Sequence, residues 1–127
     1  MRPVLVHARN DFIPLTLDQL VNNAAKWRYM SDGKCRVPMT IRGIVGRGWG
    51  QGAQHAQSLQ SMFAHIPGLK VVMPVTPEDA KGLLIASIQE ECPVIVLEHR
   101  SLFEREGPVP EDIYTTPLGQ AIVRRSG

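Results

Sequence analysis

His55 stands near the end of the stretch Arg42-Gly43-Ile44-Val45-Gly46-Arg47-Gly48-Trp49-Gly50-Gln51-Gly52-Ala53-Gln54-His55-Ala56-Gln57, in which an apolar run passes through glycines toward a helix. Glycine tolerates positive φ and close backbone approach, so glycines at positions 46, 48, 50 and 52 can wrap a ligand without side-chain obstruction. His55 is the one side chain of the stretch that exchanges a proton near neutral pH, and two arginines and three glutamines surround it with polar groups. The chemistry this composition suits is proton transfer, or hydrogen bonding to a developing charge, on a bound small molecule. Two readings stay open from the residues alone: a ligand-binding loop, or a glycine-rich turn bearing a surface histidine. Two phosphate-binding loops are excluded. No set of glycines falls at the first, third and sixth positions of the dinucleotide fingerprint, and no lysine followed by Ser or Thr completes a P-loop.

The elements that must position this loop alternate strand and helix signals, which predicts a parallel α/β sheet rather than a sandwich or a bundle. Val4 to His7 reads as a short strand. Leu15 to Met30 carries Leu17, Leu20, Val21, Ala24 and Ala25 at helical spacing and reads as an amphipathic helix ending before Ser31-Asp32-Gly33. Met39 to Val45 is a strand, and a helix is expected from Gln54 to His65, burying Leu59, Met62 and Phe63 and stopped by Pro67-Gly68. Leu69 to Met73 is a buried strand. Thr76-Pro77-Glu78-Asp79 is a helix start: Thr76 as cap, Pro77 first in the helix, two acids at the positive end of the dipole. That helix is expected to bury Ala80, Leu83, Leu84 and Ile88. Val94 to Leu97 is a strand with Glu98 at its end, and Leu118 to Arg125 reads as one further strand. In open α/β sheets ligands bind beyond the carboxyl ends of the strands, where the glycine loop, His55 and Glu98 all fall.

The 127 residues suffice for one domain with a sizeable core. A formal charge of +2 with dispersed basic residues argues against nucleic-acid binding. No apolar run reaches the roughly 18 residues of a membrane span and no signal peptide is legible, so a cytoplasmic protein is the expectation. Cys35 and Cys92 lack CxxC spacing and are expected as reduced thiols. A strand opens the chain at once and another closes it, so the sequence reads as the middle of a longer protein.

Four blocks carry a family resemblance: Leu17-Asp18-Gln19-Leu20-Val21-Asn22-Asn23-Ala24-Ala25-Lys26; Gln54-His55-Ala56-Gln57; His65-Ile66-Pro67-Gly68-Leu69-Lys70-Val71-Val72; and Asp79-Ala80-Lys81-Gly82-Leu83-Leu84 followed by Pro93-Val94-Ile95-Val96-Leu97-Glu98. In order and spacing they resemble the beta subunit of the first component of the thiamine-diphosphate-dependent 2-oxo acid dehydrogenases, the pyruvate, branched-chain and acetoin types. The Asp79-Ala80-Lys81-Gly82 block argues against a transketolase or a deoxyxylulose phosphate synthase.

The resemblance implies an incomplete three-layer α/β fold: a parallel sheet flanked by helices, the transketolase-like pyrimidine-binding domain, over residues 1–105. Residues 106–127 would be the linker and first strand of a C-terminal domain that is absent. It implies thiamine diphosphate shared with an alpha subunit that holds the diphosphate and magnesium, and a lipoyl-bearing acyltransferase as partner. Phe12 falls where the family sets an aromatic ring against the aminopyrimidine, and His55 on its active-site histidine. A structural potassium ion is implied at Met39, Ser87, Ile88, Glu90 and Cys92, mainly through backbone oxygens, although Cys92 and Glu90 depart from the family's usual Asn and Asp.

Arg42 and Arg47 are read either as guides for anionic partners or as solvated arginines. The family's cofactor-activating glutamate lies upstream of Arg2, outside the chain, and Glu98 matches a different position. The isolated chain is therefore expected to be inactive and, with apolar surface left uncovered, a homo-oligomer. A non-catalytic binding or assembly module derived from such a subunit is the alternative.

Overall fold

The computed structural model describes residues 1–46, 51–123 and 125–127. Arg47, Gly48, Trp49 and Gly50 of the glycine loop lie outside the described residues, as does Arg124. Strands β1 (Val4–His7), β2 (Thr40–Val45), β3 (Lys70–Val72) and β4 (Val94–His99) form one sheet in the order β1-β2-β4-β3, every neighbouring pair parallel. Side chains alternate across a strand, so each strand feeds two layers. Ile41 and Val45 of β2 and Ile95 and Leu97 of β4 join Ile13, Leu20, Ala25 and Phe63 in the main core. Val94 and Val96 point the other way and are also buried, on the face where helix α3 (Pro77–Gln89) returns against β4. The α/β parallel architecture read from the sequence is the one observed.

The helix expected from Leu15 to Met30 is instead three pieces. Asn10–Thr16 is a 3-10 segment, Asp18–Ala24 is π-helical, and only α1 (Ala25–Met30) has α geometry. Pro14 sits inside the first piece, where it lacks an amide hydrogen and crowds the preceding turn. In the second, the Asn23 side chain donates to the Asp18 carbonyl five residues back, and Asn22 to the Asp18 carboxylate, so side chains compete for the local hydrogen bonds. The apolar stripe survives the change: Leu20 and Ala25 are buried, and Leu17 and Ala24 pack against the core.

Three further expectations are corrected. The helix foreseen from Gln54 to His65 begins only at Gln60: Ala53–His55 is a 3-10 turn, and α2 spans Gln60–Ala64. Its missing turns have a physical cause, because Gln57 and Leu59 give their amide hydrogens to Asp11 and Asn10 rather than to a helix ladder. α3 buries Gly82 and Ser87, while Leu83, Leu84 and Ile88 are half-covered and Ala80 is exposed. Thr76 does cap it, accepting the Asp79 amide at 3.0 Å. The last strand does not form: among the described residues of 118–127 there is only turn and coil, exposed beyond the half-covered Leu118, with no strand beside it. Instead, the tail crosses α3, where Thr116 donates its amide to the Gly82 carbonyl at 3.2 Å.

Candidate functional site

Phe12 and His55 meet at the carboxyl ends of β1 and β2. The Asn10–Thr16 segment follows β1 and delivers Phe12, while the Ala53–His55 turn delivers His55. Their rings stand edge to face, centroids 5.3 Å apart at 75°, a favoured aromatic geometry. Phe12 is 38% exposed and His55 half-buried, so both rings are accessible to a ligand.

Beneath them lies a polar network that sequence reasoning missed. Arg9 is 5% exposed, and its Nη2 donates to the Gly46 carbonyl at 2.6 Å and to the carbonyl of His55. Its Nε faces Asp11 Oδ2 at 3.7 Å but makes no hydrogen bond. Asp11, its side chain almost wholly enclosed, accepts the Gln57 amide at 3.0 Å. Asn10, fully buried, donates to the Gln57 carbonyl at 2.8 Å and accepts the Leu59 amide at 3.1 Å. Consecutive Arg, Asn and Asp read as a solvated loop, and their partners lie tens of residues along the chain. The one available signal was that this polar triplet directly precedes Phe12.

Of the described glycines of the loop, Gly46 and Gly52 both adopt φ +81°, as an unobstructed loop requires. A Cβ on Gly46 would come within 2.7 Å of the His99 ring, so His99 closes the underside of the loop. Arg42 is paired within the chain rather than solvated alone: its Nε and Nη2 both reach Glu98 Oε1 at 2.7 Å. That pair lines a cavity of about 460 Å³ whose walls include Val75, Leu84, His99 and Phe103. The cavity includes neither Phe12 nor His55.

Four of the five carbonyls expected around a cation at the end of α3 accept hydrogen bonds within the chain. Met39 accepts from the Val94 amide and Ser87 from the Glu90 amide, while Arg2 Nη1 donates to the Ile88 and Glu90 carbonyls at 3.0 and 2.7 Å. Arg2 thus brings positive charge to the negative end of that helix dipole. The Glu90 carboxylate is bound to Lys70, which, with the neighbouring amides, holds it below its ordinary pKa against the opposing effect of burial. Cys35 and Cys92 are both free thiols. Among the described residues no group of three or more His, Cys, Asp or Glu is placed to hold a metal, and no helix is long and apolar enough to cross a membrane.

The all-parallel α/β sheet agrees with what comparison with known proteins finds. Residues 1–105 match the family model described as transketolase, pyrimidine binding domain. The chain belongs to that family. Across its full length this transketolase pyrimidine-binding domain is 48% identical to acetoin:2,6-dichlorophenolindophenol oxidoreductase subunit beta of Bacillus subtilis strain 168. It is 42% identical to 2-oxoisovalerate dehydrogenase subunit beta of the same strain, and 40% to the mitochondrial pyruvate dehydrogenase E1 component subunit beta of Caenorhabditis elegans. It covers 37%, 39% and 37% of those three proteins, so the chain spans a little over a third of the length of these relatives. The tail beyond the matched part of the pyrimidine-binding domain runs back across α3.

Proposed function

We propose that this pyrimidine-binding domain is a segment of a 2-oxo acid dehydrogenase beta subunit, in which Phe12 and His55 hold the aminopyrimidine half of thiamine diphosphate and serve the reacting centre. The full assembly would decarboxylate a 2-oxo acid oxidatively and pass the acyl group to lipoamide on an acyltransferase. The observation that carries this reading is the edge-to-face contact of Phe12 with His55 at the carboxyl ends of two adjacent parallel strands. An exposed aromatic face beside an imidazole fits a flat heteroaromatic ring, the first by stacking and the second by hydrogen bonding.

Bound thiamine diphosphate supplies the electron sink that lets a 2-oxo acid lose its carboxylate. This chain's part is narrower. Phe12 provides an apolar wall that excludes water from one ring face, and a ring nitrogen of His55 holds or delivers a proton where charge develops. No P-loop is present in the sequence, which suits an alpha subunit that holds the diphosphate and magnesium. The nearby carboxylates are engaged, Asp11 by Arg9 and Gln57 and Glu98 by Arg42, so the cofactor-activating carboxylate is assigned to another segment of a full-length subunit. A potassium ion at Met39, Ser87, Ile88, Glu90 and Cys92 would have to share its carbonyls with Arg2.

Reconstitution of a full-length beta subunit bearing this segment with its alpha subunit tests the reading. His55→Ala should lower thiamine-diphosphate-dependent turnover by about 10²–10⁴-fold without loss of fold, the range of a lost acid–base group. Unchanged turnover would remove His55 from the chemistry and leave the alternative, an assembly module that keeps the fold alone.

A further inference from the structure

We propose that Arg9 is a positioning residue for His55, acting with Asn10 and Asp11 as a clamp that fixes the imidazole against Phe12; its relevance to catalysis rests on the cofactor site proposed above. The three residues are consecutive and directly precede Phe12, so one short segment carries both the grip and the aromatic ring. Phe12 is tied to it directly by the bond from its amide to the Arg9 carbonyl at 3.2 Å. From that segment Arg9 holds the carbonyls of Gly46 and His55, Asp11 holds the Gln57 amide, and Asn10 holds the Gln57 carbonyl and the Leu59 amide.

Residues 56–59 are not helical, so no ladder of their own fixes the exit of the His55 turn. The clamp supplies that order. It grips the His55 backbone itself, and a ring whose backbone is held has only its own two torsions left to settle.

A buried guanidinium facing a buried carboxylate is poor value for stability alone, since an apolar replacement of similar volume often does as well, and its best-attested use is to select one geometry. The Arg9–Asp11 separation of 3.7 Å supports that reading. The guanidinium spends its Nη2 hydrogens on the two carbonyls rather than closing a bidentate pair with its neighbouring acid. Lysine at this position keeps the charge but offers a point donor in place of a planar fork.

Nuclear magnetic resonance of the complete chain tests the clamp without reference to turnover. In the unmodified chain the Gln57 and Leu59 amides, bonded only to side chains of the clamp, should exchange with solvent at least about tenfold more slowly than unstructured amides. Unprotected exchange at both overturns the proposal even if no variant folds. Arg9→Met should keep the amide pattern of the parallel sheet and lose the ring-to-ring cross-peaks between Phe12 and His55, while Arg9→Lys restores them in part. Cross-peaks of full strength in Arg9→Met overturn it as well, since the contact would then not need the guanidinium. Thiamine diphosphate added to the unmodified chain with an alpha subunit addresses the cofactor reading separately. Shifts that spare Phe12 and His55 would sink that reading and leave the measured clamp standing.

Discussion

Arg42 and Glu98 sit on adjacent strands, out of direct register, with both Nε and Nη2 of the guanidinium 2.7 Å from one carboxylate oxygen. A carboxylate held this way is anchored to the sheet rather than offered to a ligand. Glu98→Gln should therefore cost only about 0.5–1 kcal/mol of stability, the scale of a half-exposed ion pair. In the reconstituted enzyme it should lower turnover by less than about tenfold, far below the loss expected of a proton-relay group. Steady-state kinetics beside His55→Ala decides this, and a hundredfold loss in Glu98→Gln would make Glu98 a participant.

Gly46 packs against the His99 ring at φ +81°. Alanine there meets two obstacles, a left-handed backbone and a ring 2.7 Å from its methyl group. His99 cannot swing away freely, because its Nδ1 lies 2.8 Å from the Ser101 hydroxyl. Gly46→Ala should destabilise the domain by roughly 1–3 kcal/mol in denaturant titration. In a His99→Ala background the collision is gone but the backbone strain remains, so the penalty should shrink without vanishing. An equal penalty in both backgrounds would show that the ring contact contributes nothing.

The exposed edge of the sheet bears on assembly. Val4, Leu5 and Val6 of β1 are 43%, 45% and 65% exposed, and among the described residues β1 has a strand on one side only. Apolar edges of this kind invite pairing. The chain by itself should sediment as a homo-oligomer at micromolar concentration, and Val6→Lys should shift it toward monomer. A monomer in the unmodified chain would contradict this expectation.

The parallel strands show what was legible in the sequence and Arg9 what was not. Strands and the α3 cap could be read because their signals are local: short runs of β-branched and apolar residues, or Thr76 followed by Pro77 and two acids. Phe12 and His55 were singled out through a resemblance spanning the whole chain, and the structure brings their rings together. Arg9, Asn10 and Asp11 had no local signal beyond their place just before Phe12, since polar triplets usually face water and these are bonded to carbonyls and amides brought from distant positions. The shortened α2 follows from the same blindness, because side chains of Asn10 and Asp11 take amides that helical periodicity had assigned to the helix. The misread final strand is a different case. Leu118 to Arg125 has strand-like composition, but a strand needs a neighbour, and here the sheet ends at β3 on one side and β1 on the other.

Lys70 holds the Glu90 carboxyl below its ordinary pKa, chiefly through their hydrogen bond and with help from the Glu91 and Cys92 amides. A carboxyl whose pKa is lower in the folded than in the unfolded state contributes stability above its unfolded pKa, and the contribution is lost as pH falls through the lowered one. The pair is part-exposed, so screening keeps it to about half a kcal/mol. Lys70→Met should therefore flatten the loss of stability on acidification below the ordinary carboxylate range, with little change in slope at neutral pH. Parallel stability curves for the two proteins across that acid range would refute the assignment.

Gly82 is the notch through which the tail crosses α3. A Cβ there would lie 2.2 Å from Thr116 Oγ1, 2.8 Å from the Tyr114 ring and 3.1 Å from the Thr116 backbone nitrogen. The tail is also fastened ahead of the notch, by the Tyr114 hydroxyl to the Glu78 carbonyl at 2.8 Å and by Lys81 to the Pro110 and Glu111 carbonyls. Two effects oppose each other in Gly82→Ala. The helix gains about 0.8–1 kcal/mol of intrinsic propensity, while the tail loses its seat, because a hydroxyl can rotate aside but a backbone nitrogen cannot. The domain's denaturation midpoint should hold or rise, and protease cleavage within residues 108–118 should accelerate by about fivefold or more, since local opening governs such cuts. Lys81→Ala should loosen the same segment without the helix gain. A Gly82→Ala chain that is cut no faster than the parent would mean that the tail does not depend on the missing side chain.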